Sequence, residues 1–283
     1  MATPLFETTV SQEELQKLIS MYKNNKSLRE IEKETGYSRA TLSRVFTRLG
    51  IKATTGNHYR KYFFDFDYFS VIDNAQKAYW LGFLYADGCI LPQNKYGEQA
   101  FKLALGEKDI DTLRQLKADL QSTYPIRYDY SRNRKNPSHQ IQVLLEQRSQ
   151  KTVDDLKKLG CFESKSLLLK FPTEDQVPTI YVYDFIRGYF DGDGSITVGY
   201  THKKYLYSSI CIVGTEEFIS TLSTFFTGGS IVKDNRKENS YYFKLGGNLQ
   251  VLQAYHLMYN NANRYMQRKY NKFQILINKY SES

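Results

Sequence analysis

"FIRGYFDGDGSI", residues 185–196, ends an apolar helical run in a knot of acids and glycines. "WLGFLYADGCI", residues 80–90, is a second such run. At an offset of 106, Gly82, Asp87, Gly88 and Ile90 fall on Gly188, Asp193, Gly194 and Ile196. A single copy would read as an ordinary Asp-Gly turn. Two copies behind matched apolar run-ins mark a duplicated unit, and long-period repeats decide a fold before local detail does.

The segments after each motif repeat in order. In the first half, "CILP" and "QAFKLALG" flank a polar turn as a hairpin, and 107–121 reads as a helix. Strand-like runs near 126–131 and 139–145 flank the basic turn "SRNRKNPS", before a helix over 148–160. In the second half, "SITVGY" and "LYSSICIVG" flank "THKK", and Thr215 caps a helix ending in glycines. "SIVKDN" and "SYYFKLG" flank "RKEN", and a helix runs through "NLQVLQAYHLMYN". Each half is thus helix, two strands, helix, two strands, helix. The turns carry Arg132, Arg134 and Lys135, then His202, Lys203 and Lys204, then Arg236 and Lys237.

The motif run-ins carry Gly82-x-x-x-Ala86 and Gly188-x-x-x-Gly192. Small residues four apart share a helix face and let two backbones approach closely. Glycine inside a helix costs up to ~1 kcal/mol relative to alanine, so its placement at both matched sites points to a close contact between the halves. Gly88 and Gly194 then read as helix terminators. That puts Asp87 and Asp193 at the negative ends of two paired helices, where carboxylates are disfavoured and repel one another. A bound cation reverses both penalties, and magnesium combines one or two carboxylates with water and substrate phosphate. A calcium loop is the rival reading of "DGDGS". It fails because Ser195 and Ile196 take the fifth and sixth places, His202 the twelfth, and Tyr85 the first place of the other copy.

The chain has 283 residues and a formal charge of +9, from 39 basic and 30 acidic residues. This length predicts two or three domains, and the charge suits a polyanion without requiring one. The 24 tyrosines and 17 phenylalanines serve mostly as core. Cys89, Cys161 and Cys211 form no CxxC pair, which argues against a disulfide framework or zinc site. With no signal peptide and no membrane-length apolar run, an intracellular protein, cytoplasmic or nucleoid-associated, is expected.

Residues 11–51 read as three short helices. Leu15, Leu18, Ile19 and Tyr22 keep helical spacing in the first. Ser27 and Glu30 form a capping box over the second, where Leu28 and Ile31 face inward. Gly36 permits a tight turn, and Ser38 caps the third helix, with Leu42, Val45, Phe46 and Leu49 as its buried stripe. This is the helix-turn-helix plan, with Arg39, Thr41, Ser43, Arg44 and Arg48 on the open side of the third helix. From Tyr37 to Phe64 there are six basic residues and no acidic one, including Arg60 and Lys61 in a linker that turns aromatic. The plain alternative is a packing bundle, and agreement of charge, cap and turn favours DNA binding.

The paired motifs "WLGFLYADG" and "IRGYFDGDG" resemble those of the LAGLIDADG homing endonucleases in their single-chain, two-motif form, over about residues 70–283. The front module is similar to extra DNA-binding modules on some free-standing members. The resemblance implies an α+β fold: two pseudo-symmetric αββαββα units packed through the motif helices, with saddle-shaped antiparallel sheets, beside a small all-α domain. It implies a monomer that hydrolyses both strands of a long double-stranded DNA site with Mg2+ or Mn2+. Asp87 and Asp193 would bind metal, helped by the carbonyls of Ala86 and Gly192. The family keeps a lysine near each centre. Lys165 lies 78 residues after Asp87 and Lys269 lies 76 after Asp193, with Lys170 and Arg268 as rivals. Tyr85 departs from the motif where Asp191 keeps it, and no water-ordering polar residue is assignable.

The expected organisation is a helix-turn-helix domain over 1–52, a linker over 53–70, and halves over 71–180 and 181–283. The alternatives are a non-catalytic DNA-binding regulator and an RNA-splicing maturase on the same scaffold. An intein is not expected, since splice-junction residues are missing at both ends.

Overall fold

The computed structural model describes residues 6, 10–23, 26–51, 62–94, 97–163, 168–202 and 204–281, without the side chains of Lys23 and Arg132. The chain divides into two compact units, Met1–Phe63 and Phe64–Ser283.

The described part of the first unit includes the helices α1 (Gln12–Lys23), α2 (Leu28–Thr35) and α3 (Arg39–Arg48). The capping box forms as the residues dictate. Ser27 Oγ accepts from the Glu30 amide at 3.2 Å, and Glu30 Oε2 accepts from the Ser27 amide at 2.8 Å. Gly36 ends α2 at φ +78°, a left-handed conformation that glycine adopts without penalty. Ser38 Oγ accepts from the Thr41 amide at 3.2 Å and starts α3. Leu15, Leu18, Ile19, Tyr22, Ile31, Leu42, Val45 and Phe46 make the core. Leu49, expected in the buried stripe, is 43% exposed because α3 stops at Arg48 and the helical period no longer carries its side chain inward.

The second unit opens with Phe64, Tyr68 and Phe69, the aromatic end of the expected linker, all buried in its core. Its first half runs α4 (Ala75–Asp87), β1 (Gly88–Leu91), β2 (Ala100–Gly106), a 3-10 turn, α5 (Ile110–Asp119), β3 (Arg127–Asp129), α6 (Ser131–Lys135), β4 (Gln142–Arg148) and α7 (Gln150–Lys158). The second half runs α8 (Val182–Asp193), β5 (Gly194–Thr201), β6 (Tyr205–Gly214), α9 (Glu216–Ser223), β7 (Ser230–Lys233), β8 (Tyr241–Gly246), α10 (Asn248–Tyr259) and α11 (Gln267–Ser281). The two antiparallel sheets share one order, β1-β2-β4-β3 and β5-β6-β8-β7. Two details depart from the sequence reading. The basic segment between β3 and β4 contains the short helix α6, and α11 is an extra helix after the repeat.

Period-two alternation buries one face of each sheet: Leu103, Leu105, Val143 and Leu145 in the first, Ile210, Ile212, Phe243 and Leu245 in the second. The opposite face meets solvent. Across it run the registers Cys89↔Lys102↔Glu146 and Ser195↔Cys211↔Lys244.

The halves meet at α4 and α8. A Cβ on Gly82 would drive into the carbonyl of Phe185, and one on Gly188 into the carbonyl of Tyr79. Each contact lies three residues before the other motif's glycine, so the crossing is reciprocal. Gly88 and Gly194 terminate their helices for a different reason from the one expected. Both are extended, at φ −72° and −89°, and lead straight into strands. A Cβ there would meet the carbonyl oxygens of Leu84 at 2.5 Å and Phe190 at 2.6 Å, so room rather than handedness requires glycine. No described helix is long and apolar enough to cross a membrane.

Candidate active site

Because the crossing helices end at Asp87 and Asp193, the crossing delivers both aspartates to one place. Asp87 is exposed and Asp193 half-buried. Asp87 Oδ2 would lie 3.5 Å from a Cβ on Gly192, the residue before Asp193. Both carboxylates act on the Tyr189 hydroxyl, whose pKa is raised first by burial and then by these two charges. Ala86 and Asp193 line a cavity of about 420 Å³ that extends to Lys237 and Glu238 in the β7–β8 turn.

Behind Asp193 the second half is anchored by buried polar groups. Asp191 is fully buried and accepts from Tyr79 Oη at 3.0 Å, Tyr259 Oη at 2.7 Å and the Met266 amide at 2.7 Å. Burial pushes its carboxyl up, against the pull of nearby Lys269 and the three donors. Tyr79 comes from α4, so this cluster also ties the halves together. Lys269, on α11, is 2% exposed. Its three Nζ protons are shared among the carbonyls of Phe190 (2.6 Å), Asp191 (2.7 Å) and Gly194 (2.5 Å), with Gly192 farther off at 3.3 Å. The ammonium thus caps the negative end of α8, where the Phe190 carbonyl also accepts from the Gly194 amide. Burial pulls its pKa down to about 8, partly opposed by Asp191, Asp87 and Asp193.

The first half is built otherwise. Tyr85 is buried in the place corresponding to Asp191, and its hydroxyl donates to the Leu159 carbonyl. Lys165 lies outside the described residues. The rivals are engaged elsewhere: Lys170 pairs with Glu217 at 3.2 Å, and Arg268 with Asp109 at 2.9 Å.

Of the expected nucleic-acid contacts, Ser43, Arg44 and Arg48 stand exposed on α3. Arg39 is exposed but paired with Glu32 at 2.8 Å, and Thr41 is tied to the Ser38 cap. Arg60, Lys61 and Lys203 lie outside the described residues, as does the Arg132 side chain. Arg134, Lys135, His202, Lys204 and Lys237 are exposed at sheet turns. Arg236 is exposed too, and its fork is engaged by Asp234 at 2.9 Å within its own turn. Sequence reasoning placed cations at turns and missed those on the open sheet face, Lys102, Arg127, Arg148 and Lys244. Their alternation with buried apolar residues was the signal that could have found them.

No protein-family model and no curated protein matches the sequence. Solved structures do. The LAGLIDADG homing endonuclease I-LtrWI bound to target DNA aligns with a TM-score of 0.50 and 11% identity, over 76% of this chain and 90% of that one. The LAGLIDADG meganuclease I-AabMI bound to uncleaved DNA gives 0.50 and 12%, over 74% and 92%. Meganuclease I-SmaMI bound to uncleaveable DNA gives 0.50 and 13%, over 72% and 91%. With two like-ordered sheets joined through a glycine-notched helix pair, the chain has the fold of the LAGLIDADG homing endonucleases.

Proposed function

We propose that this chain is a sequence-specific endonuclease that binds double-stranded DNA and hydrolyses both strands, acting as a monomer where cellular DNA resides. The observation that carries the reading is the delivery of Asp87 and Asp193 to one solvent-open place by the notched helix pair. Two carboxylates at adjoining negative helix ends are disfavoured by the helix dipoles and by each other, and a bound cation reverses both penalties. The donors suit a hard divalent cation. Among the described residues no three His, Cys, Asp or Glu side chains cluster as a cage. Magnesium or manganese would therefore take carboxylate oxygens from Asp87 and Asp193, carbonyls from Ala86 and Gly192, and its other ligands from water and phosphate. Such an ion supplies a polarised water and charge stabilisation at the scissile phosphate.

The protein's own groups do the rest. The crossing fixes the separation of the two carboxylates. Lys269 holds the last carbonyls of α8, and with them the approach to Asp193. It acts as a positioning group rather than at the phosphate, because its ammonium is committed to the backbone. Lys165 is the candidate for the first centre. Cations at the sheet turns neutralise backbone phosphates, and α3 adds a second contact through Ser43, Arg44 and Arg48 in a major groove.

A plasmid assay with magnesium tests this. Wild type linearises a plasmid carrying a selected site, whereas Asp87→Asn and Asp193→Asn each cut at least ~100-fold more slowly, with duplex binding retained. Undiminished cutting by the double variant overturns the active-site assignment. Binding without any nicking by wild type assigns the chain to regulation instead, and preference for structured RNA over duplex assigns it to splicing.

A further inference from the structure

The open face of the first sheet carries an ion-pair cluster that the catalytic reading does not use. Glu146 on β4 divides its carboxylate between two arginines. Oε2 accepts from Arg127 Nη2 at 2.7 Å, and Oε1 from Arg148 Nη2 at 2.9 Å. Arg148 also donates to the Glu98 carbonyl at 3.2 Å. Lys102 sits directly opposite Glu146 in the β2–β4 register, and Cys89 is opposite Lys102. This row begins at Cys89 on β1, one residue after the Asp87–Gly88 junction, and reaches the cluster on β4 across β2.

Side-chain exposure grades outward: Glu146 21%, Arg148 29% and Arg127 56%. Ion pairs this exposed contribute little to stability, so stability does not account for a carboxylate set among three cations. Orientation does. A guanidinium held at one nitrogen loses less freedom on binding and keeps donors in its planar fork for a ligand. Two parallel donors match guanine O6 and N7 in a major groove. The second sheet differs at the matched row, with Lys244 in place of Glu146 and Cys211 in place of Lys102. Lys244 lies 5.7 Å from the Tyr242 ring centroid and is a point charge without a fork.

Resting on the DNA reading above, we propose that Arg127, oriented by Glu146 and backed by Arg148, reads a guanine in the half-site facing the first sheet. The second sheet carries Lys244 and no fork at the matched row, so this contact belongs to one half-site only.

The test selects bound duplexes from a randomised library with full-length wild type, Arg127→Ala, Arg127→Lys and Glu146→Gln. Wild type enriches a site with guanine fixed at one position. Arg127→Ala and Arg127→Lys lose guanine at one shared position by roughly 5- to 150-fold and keep the rest of the site. Glu146→Gln weakens the same position. Arg127→Lys conserves charge, so its salt dependence stays as in wild type, which separates lost readout from lost folding. The proposal is overturned if Arg127→Ala keeps every base preference while affinity falls uniformly and the salt slope drops by about one, the behaviour of a phosphate contact. Failure of wild type to retain any duplex would instead remove the DNA reading itself.

Discussion

Two motif stretches that share Gly82/Gly188, Asp87/Asp193, Gly88/Gly194 and Ile90/Ile196 are supported in opposite ways behind them. In the second half, Asp191 is a buried carboxylate with three donors, and α11 returns Lys269 to cap the helix that ends at Asp193. In the first half, Tyr85 fills the same place and gives one hydroxyl bond to Leu159. At 76 residues beyond each aspartate stand Lys269 in one half and Glu163 in the other. What duplication has kept is what both halves share, the crossing glycines and the terminal aspartates. What has diverged is the support, which each half supplies from its own packing.

The comparison is broken most severely at the crossing. Gly82→Ala and Gly188→Ala each push a methyl into a carbonyl of the partner helix and cost about 3 kcal/mol or more. Reciprocity requires similar losses in urea unfolding, and a silent alanine at either glycine contradicts the geometry. Next comes the divergent pair. Asp191→Asn puts an amide before three buried donors and costs about 2–4 kcal/mol. Tyr85→Phe gives up one neutral hydrogen bond and costs about 1 kcal/mol. Equal losses from the two would erase the distinction drawn here.

Lys269→Met leaves four carbonyls without their cation and costs about 2 kcal/mol. Its sharper signature is kinetic. Slowing confined to the Asp193 centre makes plasmid accumulate as nicked circle, whereas loss of both strands together would mean a global defect.

The smallest effect is a pH dependence that Glu163 adds in the first half. The Gln99 amide at 2.5 Å and the Lys157 ammonium at 2.9 Å hold the Glu163 carboxyl down to about 2, from an ordinary 4.5. A depressed carboxyl stabilises fully above its unfolded value, and that contribution fades as pH falls from about 4.5 to about 2. Wild type and Glu163→Gln should therefore differ in melting temperature at neutral pH and converge near pH 2.

Much of this was legible in one dimension. The capping box at Ser27, the cap at Thr215, both hairpins of each half and the paired aspartates follow from spacing and residue type alone. Leu49 was misplaced because a helix boundary is set by where hydrogen bonds stop, which period alone does not reveal. The short helix α6 replaced an expected turn because "SRNRKNPS" carries no apolar period to read.

Sequence alone determined the duplication, the repeated order of strands and their flanking helices, and the meeting of two acids, because a repeat with small residues on one helix face has few ways to bury itself. Tertiary structure alone decided which groups stand behind those acids. Tyr79, Tyr259 and Met266 reach Asp191 across 112, 68 and 75 residues. Such partners are chosen by three-dimensional closure, and no local pattern of charge or hydrophobicity records which distant atom will fill a buried hydrogen bond.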